Sequence, residues 1–385
     1  MILDPAWYLA SLDADSCIKW CARLATYPWF PLELPELPPS GYPNKAWQAQ
    51  LESALPHQWP PVCPDDSDAI RRLLDSCLRF QEDFGVTYIV LPFPVIDDPD
   101  SNLRREREWL DAAAQCALTT DLPVLLQVAI TDSCLITRDP PRNDLLEALV
   151  DNLGVRQELS GVYLVLVQVL GQDRAVADHR IAWSLLDICF AMGSWAGQTV
   201  VVNYLDDFGL VCTACGATAF GSGYAMKARR INCQDYRQRG GGGAYPRFYS
   251  STTMCEYLPE SDLERLRDRK LLRLLQADQT PAAAQLMHVL SSGGRARNVP
   301  EWKEETGNTQ LAEPHRLQLL HRASQELDSV PAQDKMHYMF QRLQDAERTA
   351  TYFDSLFPEK PLYDTGRHLT PWRSGFERFM EEHNL

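Results

Sequence analysis

The chain has 385 residues, 45% of them hydrophobic, a net charge of −15 and 11 cysteines. That length exceeds one average domain but suits one large α/β domain with additions, and no run of about 18 apolar residues marks a transmembrane helix. The acidic balance excludes broad binding to a nucleic-acid backbone. It does not extend to residues 226–247, where Lys227, Arg229, Arg230, Arg237, Arg239 and Arg247 face one acid, Asp235, so a local contact there stays open.

The opening stretch MILDPAWYLASLDADS carries acids early and no basic segment before an apolar one. It reads as a cytoplasmic chain without a secretory signal. The odd number of cysteines, set among apolar neighbours as in LLDSCLRF and LLDICFAM, reads as buried free thiols in a reducing compartment.

Residues 1–66 form an N-terminal arm rich in proline and tryptophan, with Trp7, Trp20, Trp29, Trp47 and Trp59. Proline blocks long regular structure, while the aromatic content argues for order. The pattern predicts one helix near 15–25, a short extended piece near 29–34, and a segment that wraps the core. Its alternative role is to hold a protein partner.

From Ser67 the grammar becomes regular. An amphipathic helix spans 68–84, capped by Asp66 or Ser67 and ended by Gly85. The apolar run VTYIVLPFPVI then reads as a strand buried on both faces. Helix 102–118, strand 122–130, helix 143–153, strand 161–169, helix 175–195, strand 198–204, the short helix 206–215 and strand 217–220 follow. Alternating helices and buried strands predict a parallel sheet with helices outside it. Extra strands near 29–34 and 247–251 would raise the count. No glycine-rich dinucleotide loop follows the first strand. The expected fold is therefore an α/β, (β/α)8-type barrel, irregular or incomplete, over 67–258. After Pro259 the pattern turns helical through 259–385, broken by a linker at 291–308 that reads as exposed. These C-terminal helices are a second candidate surface for a protein partner.

In such folds ligands sit at the carboxyl ends of the strands. The residues found there are Asp97 and Asp98, Asp132, Gln168, then Asn203, Tyr204, Asp206 and Asp207, and last the Gly221-Ser222-Gly223 elbow with Tyr224, Lys227 and Arg230. Asp97, Asp132, Asn203 and Asp206 are the candidate catalytic or orienting groups. The competing reading of the aspartates is that they cap the helices that follow. Glycine turns let backbone N–H groups approach an anion, and Lys227, Arg229 or Arg230 could bond to phosphate. Gly221, Ser222, Gly223, Tyr224, Lys227 and Arg230 are the candidate ligand-binding residues; Arg367 lies outside this set. Cys212 and Cys215 form a lone C-x-x-C whose helical spacing reads as packing. No metal site and no identified cofactor follow from the pattern.

The stretch GATAFGSGYAMKARRIN resembles part of the tRNA-guanine transglycosylase family. Gly216 and Phe220 fit the outline and Arg229 and Arg230 the basic part, while Gly221 stands where that family has its aspartate nucleophile. The family's zinc-binding cysteines and histidine have no counterpart. The resemblance implies a (β/α)8 barrel. Two functions are expected: binding of a phosphorylated or nucleotide-like small molecule, with hydrolysis or glycosyl transfer, or a non-catalytic barrel serving as an interaction or scaffold subunit.

Overall fold

The computed structural model describes residues 1–12, 14–30, 44–54, 63–101, 103–136, 144–171, 174–223, 229–236 and 244–385. The N-terminal arm contributes helices α1 (Ala14–Leu24) and α2 (Lys45–Ala54). Its tryptophans are mostly inside. Trp7, Trp29 and Trp47 are buried, and the Trp29 indole donates to the Pro5 carbonyl at 3.0 Å. Trp7 packs on Phe30 and on Trp109 of the core. The described part of the arm is thus a structural cover. Of the extended piece expected near 29–34, Trp29 and Phe30 lie in a turn and the rest falls outside the described residues.

Helix α3 (Ser67–Phe84) starts where its cap predicts. The Asp66 carboxylate accepts the Ala69 N–H at 2.8 Å, and Gly85, at φ +74°, ends it. A stripe of Ile70, Leu73, Leu74, Cys77, Leu78 and Gln81 is buried. Each fully buried aliphatic side chain contributes about 1.5–3 kcal/mol.

The sheet follows: β1 (Ile89–Leu91), α4 (Arg104–Ala117), β2 (Val124–Thr131), the short α5 (Asp132–Leu135), α6 (Asp144–Gly154), β3 (Gly161–Gln168), α7 (His179–Cys189), β4 (Thr199–Asn203), α8 (Phe208–Ala214) and β5 (Ala219–Gly221). The strands are parallel and lie side by side in the order β1-β2-β3-β4-β5. This order has no reversal of the kind a doubly wound sheet carries. Successive helices touch one another, α3 with α4, α4 with α6, α6 with α7, and α7 with α8. That is the one-sided layer that repeated right-handed crossovers produce.

The free edge of β1 is closed from two sides. Ile2 bridges to Tyr88 in parallel. The buried amide of Gln81 then donates to the Val90 carbonyl at 2.7 Å and accepts the Val90 N–H at 2.9 Å. One side chain thereby supplies both hydrogen bonds a neighbouring strand would give.

At the other end of the strands the sheet splays. The short β6 (Ile231–Asn232) pairs with the last two residues of β3, where β4 has already left. Strand β7 (Phe248–Ser250) pairs antiparallel with β8 (Cys255–Tyr257) in a separate ribbon. The late strand expected near 247–251 exists but does not extend the parallel sheet.

The expected helix after Pro259 is broken into turns around α9 (Glu264–Asp268), with Lys270 in the left-handed region at φ +61°. Helix α10 (Ala284–Ser291) leads to the 291–308 segment, where Ala296, Val299 and Trp302 are fully buried. That segment is therefore not an exposed linker throughout. Helices α11 (Ala312–Ser329), α12 (Lys335–Ser355) and α13 (Leu369–His383) complete the chain. Helix α13 lies against α7 at Gly375, where a Cβ would sit 2.5 Å from the His179 carbonyl oxygen. One continuous hydrophobic core includes Trp7, the strands and Met380. Among the described residues no helix is long and apolar enough to cross a membrane.

Candidate anion-binding site

The exit of β4 sets the site. Tyr204 and Asp206 both hold left-handed backbone, at φ +61° and +53°. Such residues cost about 1–3 kcal/mol each and collect at ligand sites. The kink turns Asp206 and Asp207 toward the interior, where Arg316 of α11 meets them. Arg316 is 1% exposed; its Nη2 donates to Asp206, to Asp207 at 2.5 Å and to Ser222 Oγ at 2.7 Å.

Around this pair runs a chain of buried charges. Arg174, just past β3, bonds to Asp206 at 3.1 Å and to Asp364. Arg229 bonds to Glu313 at 2.7 Å and to Glu256 of β8, and Arg247 reaches Glu256 at 2.9 Å. Taking an ion from water costs several kcal/mol, so each carboxylate here needs its guanidinium. Burial alone raises both aspartates. Arg316, Arg229 and Arg174 outweigh it at Asp206, which ends below the usual range. Asp207 is pushed up to about 6 by burial, with Arg316 opposing and the Asp206 charge adding to the rise. Glu256 is buried too, but Arg229, Arg174 and Arg247 hold it well below the carboxylate range.

Above this network opens a cleft of about 610 Å³ lined by Arg174, Arg229, Arg230, Arg247 and Arg367, with Asp206, Glu256, Asp364, Tyr363 and His368. Five guanidiniums face three carboxylates. The Nε–H groups of Arg229 and Arg247 are buried with no acceptor. Arg367 is exposed and has no carboxylate partner among the described residues. Arg230 pairs with Asp235 at 3.3 Å on the far wall.

The expected site residues separate. Asp206 and Arg230 line the cleft. Asn203 does not line the cleft: its Oδ1 accepts the Tyr204 N–H at 3.0 Å and its Nδ2 donates to the Tyr163 hydroxyl. Asp132 is fully buried and accepts the backbone N–H groups of Val169 and Leu170 at 2.9 and 3.3 Å, anchoring the chain as it leaves β3. Asp97 is on the surface and does not line the cleft. Gly221 makes room for Asn203, because a Cβ there would lie 2.2 Å from Oδ1. Ser222 is engaged by Arg316. Gly223 is half-buried and does not line the cleft, and Tyr224 and Lys227 lie outside the described residues. Arg367, expected to stand apart, lines the cleft instead.

The sequence reading passed over Arg174, Arg316, Glu256, Asp364 and His368. Arg316 left a trace: it shares the apolar stripe of α11 with His315, Leu319, Leu320, Ala323 and Leu327, where an isolated arginine needs buried acids.

A metal ion fits poorly here. The ligand atoms of Cys255, Asp364 and His368 lie within 4.8 Å of one another. However, Arg174 already holds Asp364, the carboxylate that the His368 Nδ1 faces at 3.7 Å while its Nε2–H donates to the Met254 carbonyl at 3.0 Å. Burial pushes the Cys255 thiol up, and it donates to the Thr253 carbonyl. Cys212 and Cys215 are likewise buried free thiols raised by burial.

A second polar cluster is built around Asp4. Asp4 Oδ2 accepts the hydroxyls of Tyr8 at 2.6 Å and Tyr204 at 2.9 Å. Its Oδ1 accepts Ala6 N–H at 2.9 Å and the Gln127 amide at 2.8 Å. Burial raises the Asp4 carboxyl, with these donors opposing the rise. The sequence reading missed this cluster, which joins the arm to β2 and β4.

Compared with protein-family models, curated proteins and solved structures, the chain matches none.

Proposed function

We propose that this protein binds a small phosphorylated or nucleotide-like molecule in the arginine cleft, at the carboxyl ends of strands belonging to a (β/α)8-type barrel. The sequential order of the parallel strands supports the barrel reading. The observation that carries the function is the cleft lining: five guanidiniums against three carboxylates in a chain of net charge −15. Guanidinium forks match phosphate oxygens bidentately. The exposed Arg367, held by no carboxylate among the described residues, leaves donors for such oxygens. The Gly221–Gly223 elbow contributes indirectly, by letting Asn203 and Arg316 take their places.

One observation favours binding without turnover. Asp206, Glu256 and Asp364, the acids of the cleft, are all held by arginine. A carboxylate so held is a weak proton acceptor. The alternative reading, a non-catalytic subunit that recognises its ligand within a larger assembly, rests on this.

Thermal unfolding of the full chain in phosphate, pyrophosphate and nucleoside monophosphates tests the proposal. A ligand at 100 times its Kd stabilises by about 2.7 kcal/mol, so a concentration-dependent rise in transition temperature is expected. Its absence with every one of these anions would overturn the reading.

A further inference from the structure

Beside the arginine cleft, across the Arg230–Asp235 pair, lies a second cleft of about 480 Å³ with Asp4 among its lining residues. Trp20, Tyr27, Tyr204 and Tyr236 supply aromatic rings to its wall. Trp20 is 39% exposed and meets Tyr236 edge-on at 5.1 Å. The volume suits a small molecule.

The hydrogen bonding and the charge of Asp4 are satisfied to different degrees. A carboxylate offers about four acceptor positions. Those of Asp4 are taken by Tyr8, Tyr204, Ala6 and Gln127, all neutral donors. No cation pairs with it among the described residues. The Gln127 Oε1, buried beside it, has no partner either and adds a second uncompensated negative atom. Thus the acceptor positions are full and no ion pair balances the negative charge, although the Arg23 guanidinium stands in the same cleft wall.

This combination selects among ligands. A primary ammonium, a guanidinium or the edge of a heterocycle needs a vacant acceptor and would have to displace one of the four donors. A quaternary ammonium carries charge but no N–H group. It is attracted by a carboxylate at short range and by aromatic rings. The wall already shows that attraction: the Arg23 guanidinium stands 5.9 Å from the centre of the Trp20 ring.

We propose that the Asp4 cleft binds a quaternary ammonium group, with the Asp4 charge and the rings of Trp20, Tyr27, Tyr204 and Tyr236 as its recognition elements. This site is distinct from the arginine cleft and takes a ligand group of opposite charge. The left-handed Tyr204 links the two, since its own side chain serves this cleft and the kink it makes aims Asp206 at the other.

The test is calorimetric titration of the full chain at constant ionic strength with choline, its neutral carbon isostere 3,3-dimethylbutan-1-ol, and methylammonium. Choline is expected to bind, with the isostere and methylammonium at least about tenfold weaker. Asp4→Asn should remove most of the choline affinity. Trp20→Leu, at a half-exposed side chain, should weaken choline by about threefold or more with the transition temperature unchanged, which keeps the proposal testable if Asp4→Asn does not fold. No heat with choline, equal binding of the isostere, tighter binding of methylammonium, or full choline affinity in Trp20→Leu would each overturn it.

Discussion

Asn203 and Gly221 face each other across β4 and β5 in register, so closely that the glycine is the only residue the asparagine side chain tolerates. Gly221→Ala is expected to push Asn203 off Tyr163 and the Tyr204 N–H, destabilising by about 1–3 kcal/mol. In an Asn203→Ala background the same change should cost at least about 1 kcal/mol less. Urea denaturation of the four proteins measures the coupling. Gly221→Asp, which would supply the aspartate found in transglycosylases, should be worse than Gly221→Ala.

Arg316 bonds to both Asp206 and Asp207. Arg316→Met leaves Asp207 buried without a cation and Asp206 with Arg174 alone. A loss of about 3–5 kcal/mol is expected, with partial recovery on adding Asp207→Asn. Chemical denaturation at pH 7 checks both.

Two buried histidines contribute to the pH dependence with a definite sign. The His315 Nε2–H donates to the Tyr249 carbonyl and its Nδ1 accepts from Thr280. That arrangement fixes a neutral ring, and burial lowers its pKa to about 4. Burial, then Arg174, lowers His368 to about 4 as well. Between about 4 and 6.5 the unfolded chain binds protons that the native chain does not, so stability falls as pH drops through that window. Asp207, raised to about 6, acts oppositely, since its native form keeps a proton that the unfolded form has lost. Asp4, Asp187, Asp262, Asp278 and Glu382, also raised by burial, act in the same sense as Asp207, so the histidine contribution is read as a difference between variants. His315→Gln should make the slope of stability against pH less positive by up to about one proton.

Arg367 is the exposed guanidinium of the anion cleft. Arg367→Ala is expected to weaken pyrophosphate by about three- to tenfold without changing the transition temperature, because one charge-assisted contact is lost and no ion pair is broken. The wild-type affinity should fall with added salt, as charges near solvent are screened. Calorimetric titration at two ionic strengths reads both effects.

Local physics made the helices and strands readable. The Asp66 cap, the Gly85 stop and the apolar runs of β2 and β3 carry their structure within a few neighbours. The sites did not read out this way, because their partners are remote. Arg316 is 110 residues from Asp206, and Asp4 is 123 residues from Gln127. Candidates chosen by position after a strand had to be sorted by where their carboxylates point. Asp132 turned to the Val169 and Leu170 amides, Asp97 to solvent, and Asp206 to Arg174 and Arg316.

The Gln81 amide on the edge of β1 has a consequence for assembly. The contact spans nine residues, so α3 and β1 can dock as soon as both have left the ribosome, at little loop-closure cost. With that side of β1 occupied, the side open to β2 is where the next strand can add. Sheet growth therefore has a built-in direction, and the same side chain denies a stray strand from another molecule a place to start.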